Sequence, residues 1–338
     1  MGVERSAFTV PRPEATRFTA LNAQRSTLNA ARDSAPLVGI VVVNWRNRPA
    51  TERCFEALRQ LTYPRWTLVL VDNGCADFSA GEIAARAPGA AYLGSETNLG
   101  FAGGSNLGMR AALARGAEWV WFINNDAAPE PDALTMLLDA AQQPPHPVVL
   151  GAKIVQQARP ERLDSVALDL DLASGRVRLL GHDEIDRGQY DDVREPLAVT
   201  GCALLLRRDA CEWLNGFEES FFAYFEDADL CLRARRAGLA VRAVPNARVR
   251  HDRAPATHGR QSVSSLYYSC RNHLVLVALH APQSASFSRL RSAAIVARYA
   301  AFALRGDPRG ARARLAAVRR GARDYAAGVM GEAGMSES

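Results

Sequence analysis

The chain has 338 residues, of which 48% are hydrophobic, so it is long and apolar enough for one large domain, with or without an appendage. The sequence contains no run of 18 or more apolar residues, which predicts that no helix spans a membrane, and its charged start predicts no secretory signal. The six cysteines form no Cys-x-x-Cys pair and are expected to be reduced core residues of a cytoplasmic protein.

The net charge of +5 is concentrated at the end of the chain. Residues 284–338 hold ten Arg and four acidic residues, a surplus of six that leaves the preceding residues at about −1. A basic tail suits nucleic acid or an anionic membrane surface, and a solvated helical face explains it equally well. Aromatic residues scarcely interleave with these arginines, so nucleic acid is not an expected partner.

The first half of the chain alternates between predicted strands and helices. The strand candidates are β-branched, apolar runs typical of strands buried on both faces, at residues 38–45, 66–73, 90–95 and 119–126. Helical spacing occurs between them at residues 50–61, 78–87 and 107–115. This alternation predicts a mostly parallel α/β sheet flanked by helices, in which ligands bind at the carboxyl ends of the strands.

Three of these predicted strands end in polar residues. The ends read Asn44-Trp45-Arg46, Asp72-Asn73-Gly74 and Asn124-Asn125-Asp126. One polar strand end is ordinary turn chemistry, but three at the same edge of a parallel sheet predict a pocket.

A glycine-rich stretch, TNLGFAGGSNLG at residues 97–108, is predicted to be a loop that precedes a helix. It matches neither the G-x-x-x-x-G-K-[ST] nor the G-x-G-x-x-G phosphate motif, so a P-loop NTPase or a Rossmann dehydrogenase is not indicated. Its glycines either let the backbone approach a ligand closely or form a tight turn.

The second half of the chain has a different pattern. Strands are predicted at residues 148–155, 197–208 and 239–251, an acidic insert at 164–195, and a helix at 227–237 that Gly238 ends. From about residue 261 the pattern is helical. We therefore expect a flexible extension at residues 1–34, an α/β domain at 35–260 and a basic helical extension at 261–338.

Acidic residues at two places suggest chemistry. Asp126 closes an apolar strand and could hold a hard divalent cation through oxygen, with His251 as a nitrogen ligand that Mn²⁺ accepts better than Mg²⁺. Glu226, Asp227 and Asp229 follow an aromatic run. They are either solvated acids at a helix start or a site where one acid takes a proton.

Seven short pieces of the sequence resemble, in this order, signatures of the family 2 glycosyltransferases with a GT-A fold, and especially of their bacterial rhamnosyltransferase-like members. The pieces are VVVNWRN (41–47), VDNGC (71–75), TNLGFAGGSNLGMR (97–110), FINNDAAPEPDAL (122–134), the stretch from TGCALLL to RARRAGL (200–239), VRH (249–251) and YYSCRN (267–272). Each piece is short, but together they span most of the chain in the family order.

The resemblance implies an inverting transfer of a sugar from a nucleoside diphosphate to a hydroxyl group, with Mg²⁺ or Mn²⁺ as cofactor and residues 35–260 as the catalytic domain. Carried over by position, Asp227 is the catalytic base, and Asp126 and His251 bind the metal. The implied donor-binding residues are Asn44, Arg46, Asp72, Asn73, Gly100 and Asn125. The implied acceptor pocket contains Phe222, Tyr224, Glu226 and Asp229, with the aromatic side chains raising the pKa of Asp227 and Asp229 orienting the site.

Two positions depart from the family pattern. Asn124 stands where the first acid of an Asp-x-Asp motif is expected, which weakens the metal site, and Cys75 stands where Ser usually follows Asp-Asn-Gly. The first expectation for the donor is dTDP-rhamnose, and the alternative is galactofuranose or a hexose from a UDP-sugar. The acceptor is expected to be a saccharide or a lipid-linked saccharide in cell-surface polysaccharide synthesis.

Other functions fit the residues less well. A non-catalytic scaffold of a glycan assembly complex would not need Asp126, Asp227 and His251, and a nucleotidyltransferase would need a Lys-rich phosphate loop, which this sequence lacks. Residues 290–306 are apolar with Arg at intervals, which predicts a peripheral helix at the inner face of the membrane or a helix packed on the main domain. Arg271 and Asn272 either face the diphosphate or brace the domain.

Overall fold

Nine strands form one sheet in this computed structural model, which describes residues 35–87, 89–252, 262–281, 285–305 and 308–334. The predicted extension at residues 1–34 lies outside the described residues. From one edge to the other, the strands of this sheet lie in the order Ala91–Ser95, Trp66–Asn73, Val38–Asn44, Trp119–Asn124, Ala203–Arg207, Val149–Gln156, Val241–His251 and Ala127–Pro129. The remaining strand, Leu163–Ser165, pairs with Val149–Gln156.

Four parallel strands form one side of the sheet, as their continuous apolar runs predict, because both faces are covered. They are β1 (Val38–Asn44), β2 (Trp66–Asn73), β3 (Ala91–Ser95) and β4 (Trp119–Asn124). In the register of these strands, Asn44 lies opposite Asp72, and Val43 lies opposite Asn124. The three predicted polar strand ends therefore meet at one edge of the sheet.

Strands of mixed direction form the other side. They are β5 (Ala127–Pro129), β6 (Val149–Gln156), β7 (Leu163–Ser165), β10 (Ala203–Arg207) and β11 (Val241–His251). β10 runs antiparallel to both β4 and β6. The strand predicted at residues 197–208 begins only at Ala203, because Gly201 and Cys202 form a turn before it. The acidic insert carries β7 and a separate hairpin of β8 (Leu168–Asp171) and β9 (Arg176–Leu179).

Helices cover the sheet and extend beyond it. They are α1 (Arg48–Leu58), α2 (Ala80–Arg86), α3 (Gly100–Ala114), α4 (Ala133–Ala141), α5 (Arg208–Leu214), α6 (Glu226–Arg236), α7 (Val263–His280), α8 (Ala285–Leu304) and α9 (Ala311–Ala326). The predicted helix at 227–237 is confirmed as α6, and Gly238 follows it with a φ of +75°.

The glycine-rich stretch is not the loop that its composition predicts. Helix α3 begins at Gly100, so most of the stretch is helical. A Cβ placed on Gly104 would lie 2.8 Å from Val43 Cγ1, and one on Gly108 would lie 2.4 Å from Val41 Cγ1. The glycines therefore let α3 pack directly on β1, and this close packing outweighs their poor intrinsic helix propensity.

The last three helices, α7 to α9, have an apolar cluster of their own, which confirms the predicted C-terminal helices. Buried members of this cluster include Leu266 and Tyr267 on α7, Tyr299 on α8 and Val318 on α9. Helix α9 packs closely on α7, since a Cβ on Gly321 would lie 2.7 Å from the carbonyl oxygen of Tyr267. Within the described ranges, none of the helices combines the length and the apolar character needed to cross a membrane.

Candidate active site

Asn44 lies at the centre of the polar edge and is fully buried. Its Nδ2 donates hydrogen bonds of 3.0 Å to Asp72 Oδ1 and 3.0 Å to Asp77 Oδ2, while its Oδ1 accepts from Thr51 Oγ1 at 2.7 Å. Asp72, Cys75 and Asp77 bring potential metal-ligand atoms within 4.8 Å of one another. In this structure the amide of Asn44 already compensates these carboxylates, so we do not assign the cation to this cluster.

Asp72 and Asn73, which the resemblance places in donor binding, are also buried. The second carboxylate oxygen of Asp72 accepts a 3.0 Å hydrogen bond from the backbone N–H of Phe78, which fixes the turn after β2. Asn73 accepts from the N–H of Leu99 at 2.9 Å and donates to the carbonyl of Gly100 at 3.0 Å, which anchors the start of α3. A nucleotide-sugar donor could bond to the side chains of Asn44, Asp72 and Asn73 only if it replaced their present hydrogen-bond partners within the protein.

Arg46 and Asn125 lie closer to the surface of this edge, whereas Gly100 is buried beside the neighbouring loop. Arg46 is exposed, with a φ of +48° and its guanidinium 5.6 Å from the centre of the Trp45 ring. The half-buried Asn125 donates to Thr51 Oγ1 at 3.0 Å. Gly100 has a φ of +72°, and a Cβ there would lie 2.3 Å from the carbonyl oxygen of Phe222. Gly100 therefore allows α3 to begin directly against the aromatic run.

Asp126 and His251 are brought together, as the sequence predicts. His251 Nε2 lies 3.1 Å from Asp126 Oδ1, and its Nδ1 lies 2.9 Å from Asp164 Oδ2. Burial by itself lowers the pKa of His251, but Cys202 and the hydrogen bonds to Asp126 and Asp164 outweigh burial and raise the pKa well above its usual range. The two carboxylates thus favour the protonated ring, and a cation held by Nε2 would take the place of the proton on that nitrogen.

Asp164 is a candidate site residue that sequence reasoning missed. It lies in β7, is buried, and reaches His251 because β7 pairs with β6 and β6 pairs with β11. A carboxylate on one ring nitrogen of a histidine orients the other nitrogen toward a metal. One carboxylate oxygen and one such nitrogen, 3.1 Å apart, are a donor set that fits a divalent cation.

Asp227 lies on the other side of the Gly201–Cys202 turn from Asp126. Its Oδ2 accepts from the N–H of Gly201 at 2.8 Å, and its Oδ1 accepts from the N–H of Ala228 at 2.7 Å. The carbonyl of Cys202 accepts from the N–H of Asn124 at 2.9 Å, which ties the same turn to the end of β4. The candidate base and the candidate cation site are therefore neighbours.

The three acids of α6 have different environments. Burial raises the pKa of Asp227, and the N–H groups of Gly201 and Ala228 offset part of this effect. Burial, and then the charge of Asp227, raise the pKa of Glu226 well above its usual range, so Glu226 is the member of this pair that keeps its proton. Of the two, Asp227 is the carboxylate available to accept a proton.

Asp229 does not line a pocket. It is fully buried, with Oδ1 2.7 Å from His280 Nε2 and Oδ2 2.7 Å from Arg233 Nε. Burial alone would raise its pKa, but His280 and Arg233 outweigh burial and lower it. Its side chain, which the resemblance places in the acceptor pocket, is fully buried and bonded to His280 and Arg233, and it orients α6 instead, as the sequence also indicates.

Two aromatic residues flank the candidate base on its N-terminal side. Tyr224 is 48% exposed, and the half-buried Phe222 stacks on Tyr268 with ring centres 5.1 Å apart. Arg271 and Asn272 are fully buried beneath this stretch and donate to its carbonyl groups. The two residues therefore brace the protein rather than face the edge of the sheet.

Comparison with known proteins matches much of the chain to a family. The family model described as "Glycosyl transferase family 2" matches residues 39–212. A Mycobacterium tuberculosis N-acetylglucosaminyl-diphospho-decaprenol L-rhamnosyltransferase is 30% identical over 245 residues, which are 67% of this chain and 79% of the relative. The M. tuberculosis galactofuranosyltransferase GlfT1 is 42% identical over 106 residues, 30% of this chain and 35% of the relative.

Solved structures resemble the whole fold. A mannosyltransferase from Pyrobaculum calidifontis, solved in complex with GDP-Man and Mn²⁺, has a TM-score of 0.53 at 15% sequence identity. The similarity covers 92% of this chain and 95% of the mannosyltransferase. At this identity the likeness shows the fold alone, and it is the GT-A fold that the sequence resemblance implies.

Proposed function

Because the chain belongs to glycosyl transferase family 2, and is therefore a glycosyltransferase, we propose that it transfers rhamnose from dTDP-rhamnose to a hydroxyl group of a lipid-linked saccharide in cell-wall polysaccharide synthesis. The rhamnosyltransferase that is similar over 67% of the chain supports rhamnose as the sugar and a GlcNAc-diphospho-lipid as the acceptor. The shorter match to a galactofuranosyltransferase supports galactofuranose as the alternative sugar, for which a UDP donor is proposed.

The observation that carries this proposal is the pair of unlike acids on either side of the Gly201–Cys202 turn. Asp227 accepts hydrogen bonds from two backbone N–H groups, and its raised pKa suits a general base. In the proposed reaction the acceptor hydroxyl gives its proton to Asp227 as its oxygen attacks the anomeric carbon. Attack from the face opposite the departing diphosphate inverts that carbon, as in direct displacement at a glycosidic centre.

Asp126 and His251 are the proposed ligands for Mg²⁺ or Mn²⁺, with Asp164 orienting the imidazole. A divalent cation bound there would supply positive charge for the leaving diphosphate. Arg46 and Asn125 are the proposed donor contacts nearest the surface, while Asn44, Asp72, Asn73 and Gly100 shape the edge beneath them.

Phe222 and Tyr224 are proposed to line the acceptor side. The exposed ring of Tyr224 lies three residues before Asp227 and offers an apolar face to a sugar ring. Glu226 is proposed to keep the site desolvated as a neutral neighbour of the base, since it is buried.

Transfer from two donors tests the proposal. Purified protein with Mn²⁺ and a synthetic GlcNAc-diphospho-lipid is given dTDP-rhamnose or UDP-galactofuranose, and the product is analysed by mass spectrometry and NMR. We expect rhamnose transfer with the anomeric configuration opposite to that of the donor. Galactofuranose transfer would establish the alternative donor, a retained configuration would rule out direct displacement, and no product from either donor would contradict both assignments.

We also propose that the outer face of α8 contacts an anionic membrane. Leu290 is 73% exposed and Leu304 is 60% exposed, and the exposed Arg289 and Arg305 flank them. Exposed leucines bordered by arginines fit the interface of anionic lipid.

The double variant Leu290→Asp with Leu304→Asp should reduce sedimentation of the protein with phosphatidylglycerol vesicles at least about tenfold. Val329→Asp, which changes an exposed residue outside α8, serves as the control. Equal sedimentation of both variants would contradict the proposal.

A further inference from the structure

The segment before the candidate base has an unusually strained backbone. We call residues 220–225 the aromatic loop. Phe222 has φ +66° and ψ −62°, and the N–H of Ala223 donates to the carbonyl of Phe221 at 2.8 Å, which makes a γ-turn of the rare, strained form. Tyr224 and Phe225 also have positive φ values, of +70° and +73°. Side chains other than glycine hold such values only when the surroundings enforce them.

Asn272, on α7, is the side chain that meets this loop most directly. The two N–H groups of its Nδ2 are shared among three loop carbonyls, which lie at 2.9 Å (Phe221), 2.7 Å (Ala223) and 2.8 Å (Tyr224) from the nitrogen. Asn272 is fully buried, so if its side chain were removed, water could not readily replace it as the hydrogen-bond partner of these carbonyls. The three bonds fix the carbonyl directions on which the strained turn depends.

Arg271 holds the amide of Asn272 in the required orientation. Arg271 Nε donates to Asn272 Oδ1 at 2.9 Å, which leaves Nδ2 directed at the loop. One terminal nitrogen of the guanidinium donates to the carbonyl of Phe221 at 3.0 Å, and the other donates to the carbonyl of Gly331 at 2.8 Å. The N–H of Gly331 in turn donates to the carbonyl of Ser220 at 2.8 Å. Helix α7 and the segment after α9 thus grip the loop together.

The loop is also held by the first turn of α3. The N–H of Ala102, in the first turn of α3, donates to the carbonyl of Phe222 at 3.1 Å. At the other end, Phe225 caps α6 and stacks on His273 of α7 with ring centres 5.0 Å apart. Asp227 follows Phe225 by two residues, so the position of its carboxylate depends on where the loop ends.

We propose that Asn272 and Arg271 are positioning residues that hold the aromatic loop in its strained form and thereby place the carboxylate of Asp227 for catalysis. The C-terminal helices then complete the active site, although the family model ends at residue 212 and the sequence predicted a boundary at 260. This inference rests on the proposed function, in which Asp227 is the base.

Two substitutions at one position test the proposal. Asn272→Ala removes the donor, and Asn272→Asp keeps the size but replaces the donor with an acceptor that repels the loop carbonyls. We expect kcat to fall about 100-fold in both, since a displacement of about 1 Å can cost that much. The dissociation constant for the nucleotide, measured by calorimetry, should change less than about twofold, because neither substitution touches the polar edge.

A matched control separates positioning from general destabilisation. Val277→Ala changes another buried residue of α7 whose apolar side chain cannot donate a hydrogen bond. It should lower Tm and leave kcat near that of the wild type at a temperature where the protein is folded. In hydrogen–deuterium exchange, Asn272→Ala should speed exchange in residues 220–228, whereas Val277→Ala should not.

The outcomes are distinguishable. If folded Asn272→Ala has a kcat within threefold of the wild type, or loses nucleotide affinity as much as kcat, the positioning role is overturned. Unchanged exchange in residues 220–228 would also overturn it, because the loop would not depend on Asn272. If the wild type transfers no sugar at all, the proposed function fails, and the exchange result still decides whether the loop is held by Asn272.

Discussion

Asp126 and Asp227 lie on either side of the same short turn, yet the two carboxylates have opposite kinds of partner. Asp126 lies 3.1 Å from His251 Nε2, and a second carboxylate, that of Asp164, lies 2.9 Å from the other ring nitrogen. Asp227 accepts hydrogen bonds from backbone N–H groups, and burial raises its pKa and, further still, the pKa of Glu226 beside it. The first environment favours positive charge and the second raises the pKa of a carboxylate, and the proposed sugar transfer uses both properties.

Two buried histidines show the same contrast. His251 lies between Asp126 and Asp164, and these carboxylates contribute to a pKa well above its usual range. His273 lies between the rings of Phe225 and Tyr299, and burial lowers its pKa to about 4. A positive charge is therefore favoured on His251 and disfavoured on His273.

The largest expected effect is at the base. Asp227→Asn keeps the shape of the side chain but removes its ability to accept a proton, so kcat should fall about 1,000-fold while nucleotide affinity stays within twofold. Asp209→Asn is a suitable control, because Asp209 pairs with Arg207 at the opposite end of β10. Equal loss of kcat and nucleotide affinity in Asp227→Asn would contradict the assignment.

The next effect is at the metal end. Asp164→Asn should weaken Mn²⁺ binding about 10- to 100-fold, because the amide no longer holds the imidazole of His251 as a carboxylate does. Calorimetric titration with Mn²⁺ in the presence of the matching nucleotide measures this. Asp183→Asn changes an exposed acid of the same insert, paired with Arg159, and should bind Mn²⁺ like the wild type. Unchanged affinity in Asp164→Asn would remove Asp164 from the site.

The smallest effect concerns acid stability. The pKa of His273 is lower in the folded protein than the ordinary 6.5, so its contribution to stability is complete above about pH 6.5 and is lost as pH falls toward 4. Between pH 7 and pH 5 this loss is about 2 kcal/mol. His273→Phe should lose that much less stability over the same range in urea unfolding; an identical loss in both proteins would contradict the role given to His273.

Much of the fold could be predicted from the sequence. The continuous apolar runs of β1, β2 and β4 predict buried parallel strands, and their polar ends predict the edge at which Asn44, Asp72 and Asn124 meet. The sequence could predict that Asp126 and His251 lie together because each ends a predicted strand. The resemblance singled out Asp227, whose environment agrees with the role of a base.

The remaining features depend on contacts that local patterns do not reveal. Asp164 is 87 residues from His251 in sequence, and only the pairing of three strands brings the two together. The glycines of α3 predict a loop by propensity, but the helix forms because they let it pack on β1. The aromatic loop contains no glycine to signal its positive φ values, which are held by Asn272 from another region of the chain.

The most direct test of the central claim is calorimetric titration of the full chain with UDP, dTDP and GDP, each with and without Mn²⁺, in the wild type and in Asp126→Asn. If Asp126 and His251 hold the cation for the donor diphosphate, one nucleotide will bind the wild type only with Mn²⁺, and Asp126→Asn will lose that dependence together with most of the affinity. Nucleotide binding that is equally strong without metal, or unchanged in folded Asp126→Asn, would contradict the account.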